Sequence, residues 1–444
     1  MTAASATPAT GMATTASASP VAPGPPRIAR ERSAGALWVW GGVAMLVVAV
    51  GLRQVIVFYA AAVLLGVIGV SAWWGARALD RVAYRRVLSR HVAWWGEGIT
   101  LRIEADNDKR LPLPWLRIED EVPALPLSTP VQASGKAGRR QLPALFSVPG
   151  YQRVARTYTV TCTTRGEHTF GPAALRAGDI FGLSTATTSL PVYDTLLIYP
   201  KVVPLTMLDL PASRPFGDRG ARRRLFEDPL RSVGVRDYVT GDSPRHVHWK
   251  ATAHTGALQV RVFEPVRTLR AALFLDVATG RTADAFGMRR YLGYDTDLLE
   301  LDIVTAASIA VHLLADGFEV GLYANGGAVR QEGMVRLAPS ATADAATTIL
   351  TALALLPPVP TLPLSQVLAT EAPRLPLGAD AVIISAAPTA ELLAAAGRLR
   401  AEGHTATLIV IGDGVPPPAP PGVVVRMVSA RARDWRALAA LDLG

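Results

Sequence analysis

The chain has a single cysteine, Cys162, in 444 residues. That excludes an intrachain disulfide framework and a multi-cysteine metal site. There is no Walker-type P-loop and no HExxH pair, and no Ser or Cys stands at a recognisable nucleophile turn. Residues 1–26 carry no charge and few large apolar groups, so a disordered tail is expected over residues 1–34. Lysine is scarce: nearly all of the basic charge is arginine, and Lys+Arg minus Asp+Glu is 45 − 36 = +9. An excess of that sign suits a solvated face, an anionic lipid surface or nucleic acid.

What is abundant is apolar sequence. Half of the residues are hydrophobic and the mean hydropathy is +0.26, high for a wholly soluble chain. Two apolar runs account for much of it, 35–52 and 55–75, separated only by Arg53 and Gln54. A spanning helix needs about 20 apolar residues, so the expectation is a transmembrane helical hairpin within 35–76. Trp38, Trp40, Trp73 and Trp74 lie near its outer ends, where amphipathic rings favour the headgroup level. Arg27, Arg30 and Arg32 flank one end and Arg77, Arg81, Arg85 and Arg86 the other. The positive-inside rule then predicts a two-span protein of the plasma membrane with both termini cytoplasmic. No small-residue cleavage site follows the first run, which argues against a signal peptide.

Residues 77–95 read as a basic linker helix. Beyond them the period changes to two. Ile99, Leu101, Ile103 and Ala105 alternate with polar residues, as do Leu116 and Ile118, and Tyr158, Val160 and Cys162. Such alternation predicts half-buried strands and an antiparallel β-sandwich over 96–204. Cys162 falls on the inward face, as a core filler. Gly178–Leu183 reads as a turn with an apolar plug. Residues 205–231 read as an Arg-rich arm, bearing Arg214, Arg219, Arg222, Arg223, Arg224 and Arg231.

The densest cluster of chemistry lies in 232–265. The alternation of Val233 and Val235 predicts a strand, and Gly241 suits a tight turn. Asp242 or Ser243 could cap a helix with Pro244 at its first position, running Arg245 to His254 and stopped by Gly256. A second strand would follow, with Leu258, Val260 and Val262 alternating with Gln259 and Arg261. On that helix Arg245 and Trp249 would stack, His246 and Lys250 would share a face, and Asp237 and Asp242 would pair with these cations. His246 and His248 are two apart, a poor spacing for chelation from a helix. The charges fit a polar clasp or docking face; an Asp242/His246/His248 active centre is the alternative.

The string Gly234-x-Arg236-Asp237-Tyr238-x-x-Gly241-Asp242-x-x-Arg245-x-x-x-Trp249-Lys250 resembles the signature of the domain of unknown function 58 family, G-x-R-[ED]-Y-x-x-G-D-x-x-R-x-I-x-W-K-x-[ST]-A-R. Val247 replaces the usual Ile and His254 the usual Arg. The lead-in, Arg165-Gly166, Phe170-Gly171-Pro172, Asp179-x-Phe181-Gly182-Leu183 and Tyr199-Pro200, resembles the family as well, so the likeness covers most of 35–415. The leading expectation is a membrane-anchored, non-enzymatic scaffold, without a cofactor; the resemblance implies as its partner a MoxR-type AAA+ ATPase in protein assembly or envelope maintenance. Gly234, Arg236, Asp237, Tyr238, Gly241, Asp242, Arg245, His248, Trp249 and Lys250 would form its binding surface. Lipid or nucleic-acid binding through the Arg-rich arm is a further alternative, although nucleic acid is not the expected partner.

Residues 266–444 alternate strands and helices: strands at 269–277, 319–323, 381–385 and 405–411, helices at 298–315, 344–356 and 389–402, and a last helix capped by Ser429. That order predicts a doubly wound α/β domain, similar to a von Willebrand factor type A domain. Such domains can hold Mg²⁺ on an Asp-x-Ser-x-Ser loop. Here Asp276 is the one candidate ligand, with Ala278 and Gly280 in place of both hydroxyls, which argues against a normal site.

Overall fold

A computed structural model describes residues 27–31, 35–206, 227–239, 242, 244–265, 269–279, 295–327, 333–376, 378–412, 417–428 and 434–442. These divide into two compact units. One lies within Met1–His91, Gly98–Thr161 and His168–Leu196, the other within Val92–Glu97, Cys162–Glu167 and Leu197–Gly444. Residues 1–26, most of the Arg-rich arm, Gly241, Ser243, Gly280 and Ser429 lie outside the described residues.

The first unit opens with a strand, Arg27–Glu31, where a tail was expected. Two apolar helices follow, α1 (Gly35–Gly51) and α2 (Val55–Arg77). Arg53 takes a positive φ of 51° in the turn between them. The helices pack on each other, with Ala49 and Ala61 buried. At Gly42 an added Cβ would come within 2.8 Å of Leu65 Cδ2, so glycine permits this approach. Only 11% of the apolar window of α2 is buried, and the helix is long and apolar enough to cross a membrane. By length and composition the later helix Thr296–Ala315 meets the same test, but 67% of it is buried in a core. The exposed apolar surface of the hairpin, with Trp40, Ile56, Val63 and Trp73 on it, fits a membrane protein.

The expected linker helix is absent. The chain turns after α2, and Val82–Leu88 is a strand paired with Gly98–Asn107, which pairs in turn with Gln152–Thr161. The reason is visible on its inward face, where Tyr84, Arg86 and Leu88 alternate with exposed neighbours. Arg86 is fully buried, so a charge masks the period-two signal. A second antiparallel sheet has the order Arg27–Glu31, Thr185–Leu190, Ala173–Gly178, Leu113–Pro123, Arg139–Val148, Gln132–Ala133. The alternating Ile99, Leu101, Ile103, Ala105, Leu116 and Ile118 are all buried, as expected. The turn after Gly178 departs from expectation: Ile180 and Phe181 are exposed, not a plug.

The second unit contains a hairpin of Glu227–Asp237 with Gln259–Pro265, and inside it a short helix α3 (Trp249–Thr255). The first hairpin strand takes 227–231 out of the expected arm. The unit's six-stranded sheet runs Val335–Ser340, Glu319–Ala324, Arg270–Leu275, Asp380–Ser385, Thr405–Ile411, Val423–Val428, parallel except for the first. Its helices are α4 (Thr296–Ala315), α5 (Ala345–Ala354), α6 (Leu364–Glu371) and α7 (Ala390–Ala401). Alternate strand residues enter two separate cores. Leu273, Leu275, Leu322, Val382 and Ile384 pack with α4 and α5; Ala272, Phe274, Tyr323, Ile383 and Leu408 pack with α6 and α7. Helices on both faces explain strands buried throughout. Asp295 and Thr389 cap α4 and α7 through side-chain oxygens, and Gly317 and Gly403 follow their ends at positive φ. Described residues 434–442 form turns and the short strand Leu441–Asp442, not the expected last helix.

Cys162 is buried in this unit, where desolvation pushes its thiol up to about 11. Arg165 is enclosed nearby. Its Nε and Nη2 donate to the carbonyls of Leu353 and Leu356, both at 3.1 Å, and Nη1 pairs with Glu300. It thereby satisfies backbone acceptors at and beyond the C-terminal end of α5.

Candidate functional site

The signature segment folds as a polar-locked hairpin. Arg236 holds Asp242 through two bonds of 2.7 Å, and the Asp242 carboxylate also accepts the Val239 N–H at 3.0 Å. The Arg236 guanidinium therefore holds this carboxyl below its ordinary range. Tyr238 donates its backbone N–H to Leu258 and its hydroxyl to the Asp242 carbonyl. Asp237 accepts from the Gln259 side chain at 2.5 Å. The expected pairing of both acids with the helix cations thus gives way to Arg236 and Gln259.

The helix itself starts later than expected. Pro244–His246 forms a separate 3-10 turn, and α3 begins at Trp249. Arg245 and Trp249 therefore do not share one α-helical face, nor do His246 and Lys250. His248 is the N-cap: its Nδ1 accepts the Ala251 N–H at 3.0 Å. Gly256 closes the helix at φ 73°, the conformation expected of it. Val247 bridges to Val260, and both are buried. Gln259 is buried while Leu258 is exposed, the reverse of the expected alternation.

With its acids and His248 engaged internally, the segment presents a different set of groups to solvent. Trp249 is 70% exposed and Val239 61%; Val235 and Leu258 are also exposed, beside exposed Arg245 and Lys250. At Gly234 an added Cβ would meet nothing within 4 Å, so no packing contact in the described fold calls for glycine there.

A second cluster sits at the carboxyl ends of the three central strands. Asp276 follows Arg270–Leu275, Asn325 follows Glu319–Ala324, and Ser385 ends Asp380–Ser385. Open α/β sheets bind ligands at such ends, where connections leave to opposite faces. The Asp276 carboxylate accepts from Asn325 Nδ2 at 2.8 Å, Ser385 Oγ at 3.0 Å and Ala278 N at 3.0 Å. Asn325 Oδ1 accepts the Val277 N–H. Burial raises the Asp276 carboxyl above its usual range. This donor set does not fit a Mg²⁺ loop: Ala278 has no side-chain oxygen to offer, and the Asp276 oxygens are already engaged. Nearby Asp302, on α4, is fully buried, and among the described residues neither of its oxygens has a hydrogen-bond partner.

Residues 234–413 match the model of the family described as "Protein of unknown function DUF58". The DUF58 match thus starts at the signature and extends through the strand Thr405–Ile411. "Uncharacterized protein YeaD" of Bacillus subtilis (strain 168) is 27% identical over 230 residues, covering 51% of this chain and 50% of that protein. The chain therefore spans about half the length of this curated relative. Among solved structures, the CARDB domain of the PF1109 protein from Pyrococcus furiosus is 7% identical and covers 26% of this chain and 91% of that one, at a TM-score of 0.18. A cohesin module from Clostridium perfringens is 12% identical and covers 26% and 96%, at 0.19. Likeness at that level carries no argument about fold or function.

Within the DUF58 segment the signature residues are brought together by one hairpin, except Gly241, which lies outside the described residues. Gln259 was not anticipated as a partner of the signature, nor Asn325 and Ser385 as partners of Asp276, nor Asp302 as a buried acid beside it. A polar residue within an apolar run, such as Asp302 in α4 or Gln259 between Leu258 and Val260, was the available cue.

Proposed function

We propose that this chain is a membrane-anchored, non-enzymatic scaffold whose signature hairpin docks a partner protein. The observation that carries the reading is the exposed Trp249, grouped in one hairpin unit with Val235, Val239 and Leu258 and with Arg245 and Lys250. Interface anchors are aromatic and arginine-rich in this way. The segment's acids and capping histidine are committed to its own fold, which weighs against the Asp242/His246/His248 enzyme. The family resemblance implies a MoxR-type AAA+ ATPase as the partner.

In the same reading, the two sheets of the first unit form a β-sandwich and the second unit is of the von Willebrand factor type A kind. Both termini face the cytoplasm, because Arg77, Arg81 and Arg85 remain as the basic flank of α2 once Arg86 is taken up by the core. The Arg-rich arm is an accessory anionic contact, whose binding would fall steeply with salt.

Affinity capture from membranes with ATP present tests the docking. Wild-type protein should recover the ATPase. Trp249→Ala and Val239→Ser should lose it with no change in Tm, since exposed substitutions shift stability by only about 0.5 kcal/mol. Capture that survives both substitutions, or that never contains an ATPase, refutes the reading. A reporter fused after Gly444 should behave as cytoplasmic; a periplasmic signal overturns the topology.

A further inference from the structure

We propose that the Ile180–Phe181 loop tip inserts into the headgroup–acyl boundary of the bilayer beside the helical hairpin, as a second membrane contact. The proposal rests on the hairpin being a membrane anchor. Its occupant is lipid.

The tip is apolar and outward. Ile180 is 63% exposed and Phe181 54%. They are consecutive residues in the turn joining Ala173–Gly178 to Thr185–Leu190. The turn is also held firmly. The buried Asp179 carboxylate accepts the Phe181 N–H at 2.9 Å and the Ser184 N–H at 2.8 Å. The Asp179 carbonyl accepts from Trp115 Nε1 at 3.1 Å. Two large apolar side chains projected from a braced turn carry the water-exposure cost permanently unless something covers them.

Their position says what covers them. Ser184 lies against Gly75, where an added Cβ would collide with it. Gly75 is two residues from Trp73 and Trp74 is its neighbour, near the end of α2. Independently, Glu31 pairs with Thr185, and α1 begins at Gly35. The entry to the hairpin and its exit therefore both lie at the end of the sheet that carries this turn. A membrane crossed by α1 and α2 has its surface at that level. Interfacial segments bury such residues about 5–10 Å deep.

Charge at the same end agrees. Arg77 ends α2, Arg81 follows it and both are exposed, and Arg110 is exposed beside Lys109. Lys109 Nζ donates to the carbonyls of Ala78 and Asp80, both at 2.7 Å, which ties the Lys109–Arg110 turn to the helix exit. Cations around an apolar tip match lipid phosphates around acyl chains. The opposite end of the Thr185–Leu190 strand is about 17 Å further along, at about 3.3 Å per residue. Exposed Tyr193 lies just beyond that end and serves as the control.

The test uses the full chain in vesicles of phosphatidylcholine and phosphatidylglycerol. Phe181→Cys, Ile180→Cys, Val63→Cys and Tyr193→Cys are each labelled with an environment-sensitive fluorophore. Buried Cys162 stays unlabelled. Lipids with spin labels near the headgroup or deep in the acyl region serve as quenchers. The expected result is blue-shifted emission at 180 and 181, quenched several-fold more by the shallow label than at 193, with 63 quenched by the deep label. Water-like, unquenched emission at both 180 and 181 with quenching at 63 overturns the insertion and leaves the anchor standing. No quenching at 63 overturns the anchor and the insertion together. Blue-shifted emission at 180 and 181 that no lipid label quenches assigns the tip to a protein contact and also refutes the proposal. Retaining Phe181 in Ile180→Cys guards against the label site destroying the anchor residue it reports.

Discussion

Arg86 and Asp120 form a forked ion pair inside the first unit, Nε to Oδ2 at 2.8 Å and Nη2 to Oδ1 at 2.7 Å, and neither side chain exposes any surface. Tyr84 adds a third bond to Asp120 at 2.7 Å, and Asp194 accepts from Arg86 Nη1 at 2.9 Å. The pair joins the three-stranded sheet to the central strand Leu113–Pro123 of the six-stranded one.

Breaking this pair from one side should be severe. Arg86→Leu leaves a buried, unpaired carboxylate and is expected to cost about 3–5 kcal/mol. Asp120→Leu strands the guanidinium at a similar cost. The double substitution should be milder than the sum of the two, since no lone charge then remains. Denaturant unfolding of the four proteins in detergent measures the coupling; strict additivity would show that the pair does not act as a unit.

Arg165 provides a second case of one side chain serving several partners. Arg165→Ala removes both donors to Leu353 and Leu356 and the ion pair to Glu300, so a loss of about 3 kcal/mol or more is expected. Arg165→Lys should rescue little, because an ammonium cannot supply the fork. Hydrogen exchange should rise first in α5, whose terminal carbonyls lose their donors; protection unchanged there would contradict the capping role.

Much of the fold was legible where local chemistry and tertiary packing agree. Thr389, Gly317 and Gly403 mark helix ends by mechanisms that act within a turn, whereas Asp295, the cap of α4, was not foreseen; the strands of the second unit read as continuous apolar runs because both their faces are covered. The failures share a cause: a residue whose role is set by a partner far along the chain. Arg86 looks like one more membrane-flanking cation until Asp120 is opposite it, and with it the strand Val82–Leu88 disappears into a basic linker. His248 is an uncommon cap, so the signature helix was expected to start at Asp242 or Ser243. Ile180 and Phe181 looked like core because apolar residues usually are. The strand Val423–Val428 is half-covered, with no clean period to read. The signature was recognisable as a string, but which of its groups face solvent depends on the Arg236–Asp242 and Asp237–Gln259 pairs, which no spacing reveals.

Lys109 should titrate unusually. Partial burial against the Ala78 and Asp80 carbonyls lowers its ammonium to about 8, from 10.5. The unfolded chain then binds more protons than the folded one between these values, so this group's contribution to stability rises as pH increases from about 8 toward 10.5. There are only four lysines, Lys109, Lys136, Lys201 and Lys250, so NMR of ¹³C-methylated lysines resolves them. A Lys109 signal titrating near 10.5 would refute the assignment.

Asp302 has the opposite sign from an ion-paired acid. It is wholly buried, no donor among the described residues reaches either oxygen, and desolvation with the Asp276 charge raises its carboxyl well above 3.8. Unfolded, it ionises near 3.8; folded, it keeps its proton to much higher pH. Folding therefore takes up a proton between the two values, and stability falls as pH rises through that window. Asp302→Leu, which keeps the branching at Cγ in a larger side chain, removes a buried polar group without a partner and should stabilise the protein by about 1–3 kcal/mol at neutral pH. Its advantage should shrink as pH falls toward 3.8, below which the wild-type carboxyl is neutral in both states. Thermal unfolding across pH 4–8 in detergent checks both the gain and its slope. A destabilised Asp302→Leu, or a pH-independent difference, would mean that the carboxylate is held by a partner that binds it in solution. The expected gain would make Asp302 an acid retained at a stability cost beside the sheet's switch point, and would mark the Asp276 cluster as a further place to look for a ligand.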